Sequence, residues 1–368
     1  MKILTVLGAR PQFVKASMVS LALREQGKAG FQEVIVHTGQ HFDSNMSAIF
    51  FDEMRIPEPD YDLGIASLAH GAMTGRMLEA VENVLEKERP DLVLVYGDTN
   101  STLAGALAAA KLNISIGHVE AGLRSFNRRM PEEINRVVAD QLSELLFAPT
   151  TTAVQNLERE GIAKERIRVV GDVMYDASLF FARIAQEKSN LLQTLGVKPE
   201  EYALTTVHRA ENTDDEERLE AVCHRLRELS HNLPVVLPLH PRTRGMLERS
   251  GFFRLLSDET ITIEPVGYLD MLLLEKHAKV IVTDSGGVQK EAFFYRVPCI
   301  TLRNETEWVE LVDLGWNRLV PTMDQGRFSE SIEWAFRFDR RTPRSTSLYG
   351  DGRASEAIAE ALGNYQTE

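Results

Sequence analysis

Short apolar runs, each ending in a turn of small or charged residues and each followed by a longer stretch of helical period, constrain this chain more than any other feature. Runs such as "DLVLVYGD" and "KVIVTDSG" carry apolar residues at successive positions, not at alternate ones. A strand of that kind is buried on both faces, as in a parallel sheet covered by helices. The runs predict strands at 3–7, 33–37, 92–96, 115–119, 145–148 and 168–170, then at 202–207, 235–239, 260–264, 279–283, 299–302 and 318–320. Helices are predicted between them, among others over 99–112 and 132–144. Repeated βα units mean an α/β fold with doubly wound sheets. So many strands exceed one comfortable sheet, and 368 residues exceed one core. The expectation is therefore two doubly wound α/β domains, 1–170 and 171–350, with the seam near "VVGDVMYDA". The tail "DGRASEAIAEALGNY" predicts a C-terminal helix within 351–368, capped by Asp351 or Ser355 and packing back toward the N-terminal domain.

Composition narrows the partners. A formal net charge of −13 argues against nucleic acid or an anionic membrane. An anionic small ligand stays open where bases cluster. Cys223 and Cys299 sit in no metal spacing, and no His or Cys pattern suggests zinc, so the pair reads as reduced core residues of a cytoplasmic protein. The opening "MKILTVLGARPQ" is a first strand followed by Arg10, too short an apolar run for a signal peptide or a membrane span.

Ligands of doubly wound sheets bind beyond the carboxyl ends of the strands. "TDSGGVQKEA" lies at such an end. Ser285, Gly286 and Gly287 can open a helix whose first amides lack partners and carry about half a positive charge, a place for phosphate. Glu291, one turn further, is placed to take a ribose hydroxyl. The plainer reading is a tight glycine turn with Ser285 as the cap. No G-x-x-x-x-G-K-[ST] is present, and the first strand ends in "GARPQF" without G-x-G-x-x-G. Those absences exclude a P-loop and argue against a dinucleotide redox cofactor, leaving a nucleotide that is part of the substrate.

Other strand ends carry charge. Arg10 and Lys15 follow the first strand, His208 and Arg209 follow "TTV", and "PLHPRTR" supplies His240, Arg242 and Arg244. Singly, each is best read as a solvated ion pair. Together, in an acidic protein, they gather where two domains would face a diphosphate across a cleft, and Arg suits bidentate phosphate contacts. Asp98 ends "VYGD", Glu120 ends "GHVE" beside His118, and Glu132-Glu133 precede a helix. Asp98 can serve as a helix cap, and the paired glutamates as first-turn acids. Glu120, between an apolar run and Ala-Gly-Leu, is expected half-buried, with a proton affinity shifted by desolvation. His70, His224, His231 and His277 have no such context.

In their order, "GARPQFVKAS", "TGQH", "VYGDTNSTLAG", "GHVEAGLRS", "MPEEINR", "HRAEN", "TDSGGVQKEA" and "LYGDGRAS" resemble the non-hydrolysing UDP-N-acetylglucosamine 2-epimerases over nearly the whole chain. The resemblance implies two Rossmann-like domains facing across a cleft (GT-B-like), a cytoplasmic homodimer, a UDP-sugar substrate, and no nicotinamide cofactor or required metal. It assigns Asp98, Glu120 and Glu132 to the catalytic carboxylates and His208 to the diphosphate. "GARPQF", "RSFNRRMPEEINR", "HRAENTDD" and "NETEWVEL" look most like the branch acting on UDP-2,3-diacetamido-2,3-dideoxy-glucuronate, a precursor of O-antigen sugar. Many UDP-GlcNAc epimerases read Gly-Thr-Arg-Pro-Glu at the opening and Thr-Glu-Arg-Pro-Glu near 306–310. Ala9, Gln12, Trp308 and Val309 stand there in this chain and argue against UDP-GlcNAc as sole substrate. Members activated by their own substrate carry Arg after the Gln-His pair, where this chain has Phe42-Asp43.

The chemistry such a substrate permits is narrow. C2–H of a GlcNAc unit is not acidic, so without redox help the route is departure of UDP from C1, loss of H2 to a 2-acetamidoglucal, and return of both. The diphosphate then needs cations and amides, the ring a nearby carboxylate, and the two faces of C2 at least two acid/base groups. A UDP-sugar glycosyltransferase, a hydrolysing epimerase and a non-enzymatic UDP-sugar-binding protein remain the rival readings.

Overall fold

The computed structural model describes residues 1–25, 30–40, 58–341 and 347–365. The chain divides into two compact units, Met1–Leu179 with Thr346–Glu368, and Phe180–Ser345.

In the first unit the described strands are β1 (Lys2–Leu7), β2 (Gln32–His37), β3 (Tyr61–Asp62), β4 (Leu92–Tyr96), β5 (Ser115–Val119), β6 (Leu145–Ala148) and β7 (Ile167–Val169). They form a parallel seven-stranded sheet in the order β3-β2-β1-β4-β5-β6-β7. Leu4, Val6, Val34, Val36, Val93 and Val95 bury one face against Val81, Leu85, Ala106 and Ala109 of the covering helices. The alanine-rich helix Asn100–Lys111 can press close because its side chains are small, and a Cβ on Gly105 would lie 3.1 Å from Val95 and 3.2 Å from Val6. Thr99 and Thr102 close a reciprocal capping box at its start.

The second unit holds β8 (Ala203–Thr206), β9 (Val235–Pro238), β10 (Ile261–Ile263), β11 (Val280–Thr283), β12 (Cys299–Thr301) and β13 (Asn317–Leu319), all parallel in the order β10-β9-β8-β11-β12-β13. Alternate residues feed different cores. Ala203, Val235, Val280, Val282 and Ile300 bury one face, and Leu204, Val236, Ile281 and Cys299 the other. This two-sided burial is why the strands read as unbroken apolar runs. Both cysteines are buried and free, and desolvation pushes each thiol up to about 12.

Two readings of the sequence, the division of the units and the cap of the last helix, change here. The division falls at Leu179, inside the helix Val173–Lys188, and not at residue 170. The C-terminal helix Ala354–Gly363 packs on the helix Arg10–Glu25 of the first unit. Neither Asp351 nor Ser355 caps it. The first-unit Asp176 does, accepting from the amides of Ala354 (3.1 Å) and Ser355 (2.7 Å) and from the Ser355 hydroxyl (2.7 Å). No helix among the described residues is long and apolar enough to cross a membrane.

Each sheet reverses its winding once, between β1 and β4 in the first unit and between β8 and β11 in the second. At such a point the two outgoing loops diverge and leave a crevice.

Candidate active site

At the β1/β4 reversal, Gln12 holds the two outgoing turns together. Its Oε1 accepts from the amides of Gly8 (2.8 Å) and Ala9 (2.9 Å), and its Nε2 donates to the Tyr96 carbonyl (2.8 Å). Gly8 cannot be larger, since a Cβ would lie 2.0 Å from Ser101 Oγ and 2.2 Å from Thr38 Oγ1. Gln40 accepts from the Ser101 amide (3.1 Å) and hydroxyl (2.9 Å). His41, Phe42 and Asp43 lie outside the described residues.

Held this way, the turns present paired charges. The Lys15 ammonium bonds the Glu120 carboxylate, with both side chains about nine-tenths buried. Glu120 sits at φ +70°, a conformation costly for a non-glycine residue, so its side chain is aimed by a strained backbone. Gly97 stands beside this pair, with its vacant Cβ position 3.2 Å from Glu120 Oε2 and 3.4 Å from Lys15 Nζ. The Arg136 guanidinium bonds Asp98 and, at 2.7 Å, Glu133. Burial raises the Asp98 carboxyl above its ordinary range, with Arg136 pulling down, Glu120 pushing up and Lys15 pulling down. Burial also acts upward on Glu133, but the amides of Ser125 and Phe126 (2.9 Å each) and Arg136 hold it below the usual value. His118 is a core residue that bridges Asp140 and the Gly97 carbonyl, at 2.7 Å each.

At the β8/β11 reversal, Ser285 takes the N-cap position of the helix Gly286–Phe294 in extended conformation, and its side chain makes no capping bond. That sets aside the reading of its hydroxyl as a cap. The space over Gly286 is filled by the Glu307 carboxylate, 2.3 Å from where a Cβ would stand, and Glu307 pairs with Arg303 at 2.9 Å. Burial works against the charge on Glu307, but Arg303 and Arg209 outweigh it and depress its pKa. His208 Nδ1 lies 3.4 Å from Asp284 Oδ1. Glu291 is buried and meets the fully buried Glu275, whose carboxyl is pushed well up by desolvation and then by Glu291.

The residues singled out from sequence thus fall into groups. Lys15, Asp98 and Glu120 come together at the first reversal. His208 and Ser285 come together at the second, with His240 close enough to act on His208. Arg10 is the first residue of the helix leaving β1 and is half-buried. Glu132 is exposed on the first turn of the helix Pro131–Leu142, while its neighbour Glu133 is the one engaged by Arg136. Arg242 is committed to an exposed pair with Asp214 at 2.7 Å, a contact worth about 0–1 kcal/mol. His240 caps its own helix by accepting from the Arg242 amide at 3.2 Å. Sequence reasoning missed Gln12 as a tether, Arg136, Asp284 and the Arg303–Glu307 pair. Asp284 had a visible signal, an acid directly after an apolar strand run.

The family model for UDP-N-acetylglucosamine 2-epimerase matches residues 23–363. UDP-2,3-diacetamido-2,3-dideoxy-D-glucuronate 2-epimerase of Pseudomonas aeruginosa is 54% identical over 98% of this chain and 99% of its own. A UDP-N-acetylglucosamine 2-epimerase homolog of Methanococcus maripaludis is 52% identical over 99% of this chain and 100% of its own. The crystal structure of Methanocaldococcus jannaschii UDP-GlcNAc 2-epimerase in complex with UDP-GlcNAc and UDP matches with a TM-score of 0.89 at 44% identity, over 98% of this chain and 99% of that one. With a Rossmann-like parallel sheet in each unit and such likeness from end to end, this chain belongs to the UDP-N-acetylglucosamine 2-epimerase family, a family of isomerases.

Proposed function

We propose that this protein interconverts the gluco and manno forms of UDP-2,3-diacetamido-2,3-dideoxy-glucuronate by elimination and re-addition of UDP, for surface-polysaccharide precursor synthesis. The observation that carries the reading is the cluster at the β1/β4 reversal, where Asp98 and Glu120 each keep a cationic partner. The 54% identity to the Pseudomonas enzyme supports the choice of sugar.

In this reading the C1–O bond breaks with its electron pair leaving on UDP. Ser285, the first amides of the helix Gly286–Phe294 and His208 receive the diphosphate. Glu291 takes the ribose. A carboxylate at the first reversal stabilises the cationic ring, and H2 passes to a carboxylate base to give the 2-acetamidoglucal. A second acid returns a proton to the opposite face of C2, and UDP re-adds at C1. Asp98, Glu120 and Glu132 divide these roles, each acid/base group contributing about 10²–10⁴-fold. Lys15 and Arg136 keep two carboxylates oriented.

The test is incubation in D₂O with the diacetamido-uronate and, separately, with UDP-GlcNAc, following C2 by NMR. Deuterium at C2 with a gluco/manno mixture is expected, faster with the uronate. Unlabelled sugar in both tubes from folded protein overturns the reading. Free UDP and free sugar accumulating together would favour hydrolysis instead.

A further inference from the structure

Asp284 has the environment of a group with a task. It follows β11, is fully buried, and stands one residue before the Ser285 turn. Its oxygens accept from the His208 amide (3.1 and 3.2 Å), the Arg209 amide (3.0 Å) and Asn212 Nδ2 (3.1 Å). Asn212 is itself fixed, donating to the Leu302 carbonyl (3.1 Å) and accepting from Thr322 (2.8 Å). One carboxylate therefore locks the loop after β8 to the turn after β11, across the reversal of the sheet. These three donors are neutral, so they solvate the charge of Asp284 without cancelling it. His208, with Nδ1 at 3.4 Å from Oδ1 and a half-exposed ring, is the titratable group placed to supply a positive charge.

We infer that Asp284 is a positioning residue that prepares His208 to take up a proton when UDP binds. The inference rests on the proposed function, in which His208 meets the diphosphate. Among the described residues, three charged or titratable groups act on His208. Asp284 comes from the turn after β11, Arg209 is its chain neighbour, and His240 comes from the start of the helix Pro241–Ser250. Arg209 also acts on Glu307. In the resting site, burial first, then Arg209 and His240, keep the imidazole below its ordinary pKa, against the pull of Asp284. A diphosphate arriving on the far side of the ring places negative charge on both sides, and the imidazolium becomes the favoured form. Linkage then requires a proton from solvent at any pH lying between the resting and the bound pKa of the ring. Below the resting value the proton is already present, and above the bound value it does not arrive. The ring beside Asp284 would thus be charged while UDP departs from C1 and again when it returns, so the leaving group is met by a charge-assisted donor.

Calorimetric titration of the full chain with UDP, in two buffers of different ionisation enthalpy, reads the proton count. At about pH 7.5 the nucleotide's own second ionisation, near ~6, is complete and does not confuse the result. The wild type is expected to take up of order one proton per UDP. His208→Asn takes away the titrating ring together with one diphosphate contact, so it should bind UDP more weakly and, titrated to saturation, show no uptake. Asp284→Asn should cut the uptake severalfold, and should Asp284→Asn fail to fold, NMR titration of the wild-type His208 ring with and without UDP reads the same claim. Uptake that survives His208→Asn, uptake unchanged in Asp284→Asn, a ring pKa unmoved by UDP, or UDP binding without uptake each overturns this inference and leaves the function standing. No binding of UDP by the wild type overturns both.

Discussion

Asp98 and Arg136 form the contact on which the acid/base reading turns, and their substitutions should separate. The Asp98 carboxyl is raised chiefly by burial, so Asn at that position matches its neutral form in shape and still accepts from Arg136. Asp98→Asn is expected to lower kcat/KM by about 10²–10⁴ with the unfolding temperature and UDP affinity essentially unmoved. A fall under tenfold in the C2-exchange assay would remove Asp98 from proton transfer. Arg136→Met is expected to act on the fold as well. It strands the buried Glu133 and the partly buried Asp98 without their common cation, a loss of about 3–5 kcal/mol measurable by denaturant unfolding. The charged residues at strand ends were legible because βα topology dictates where polar side chains can leave a buried sheet. Their partners were not. Arg136 could be seen only as part of "MPEEINR", since the contact with Asp98 depends on how the helix Pro131–Leu142 lies against the end of β4. Arg242, read as a phosphate ligand, pairs with an acid that local spacing did not reveal.

Among the elements, the helices Tyr268–His277 and Gly286–Phe294 bury Glu275 against Glu291. Desolvation, reinforced by Glu291, raises the Glu275 carboxyl well above its ordinary range in the folded chain, while the unfolded chain ionises it at about 4.3. A carboxyl raised on folding stabilises most below the unfolded pKa, and that stability drains as pH rises toward the folded pKa, by about 1.4 kcal/mol per unit. Glu275→Gln keeps a neutral donor facing Glu291 and removes the drain. It should raise the unfolding temperature at pH about 8 and change it little at pH about 4. An equal shift at both ends would mean the carboxyl is already ionised in the fold. At this scale the sequence was at its most readable. Each predicted strand overlaps an observed one, and in strands such as β4 and β11 that is because two-sided burial leaves an unbroken apolar run. The strand that escaped notice, β3, is two residues long at the sheet edge, where Tyr61 is half-buried and Asp62 exposed, so it has no run to read. The cap of the last helix escaped for another reason. It comes from Asp176, far away in sequence, and cap rules search only neighbouring residues.

For the molecule as a whole, the chain enters its second unit once and then returns, and the returning segment completes the first unit. Tyr349, Ala354, Ile358, Ala359 and Leu362 are all buried, the helix Ala354–Gly363 lies on the helix Arg10–Glu25, and the Asp172 amide donates to the Tyr349 carbonyl at 3.0 Å. Gly171, at φ +88°, passes so close that a Cβ would meet that carbonyl at 2.8 Å. Burying the larger side chains contributes about 1.5–3 kcal/mol each, and the Asp176 bonds about 1 kcal/mol more. The segment therefore belongs energetically to residues more than 170 positions upstream. The second unit keeps its own two-sided core without it. Deletion from residue 347 onward should lower the first unit's melting by calorimetry while a transition for the second unit persists near its original temperature. Asp176→Ala should move the first unit in the same direction by a smaller step. If the deletion lowered both transitions equally, the returning helix would have to stabilise something other than the unit it packs on. If it lowered neither, the burial of Ile358 and Leu362 would be without consequence, against everything known of apolar burial at that depth.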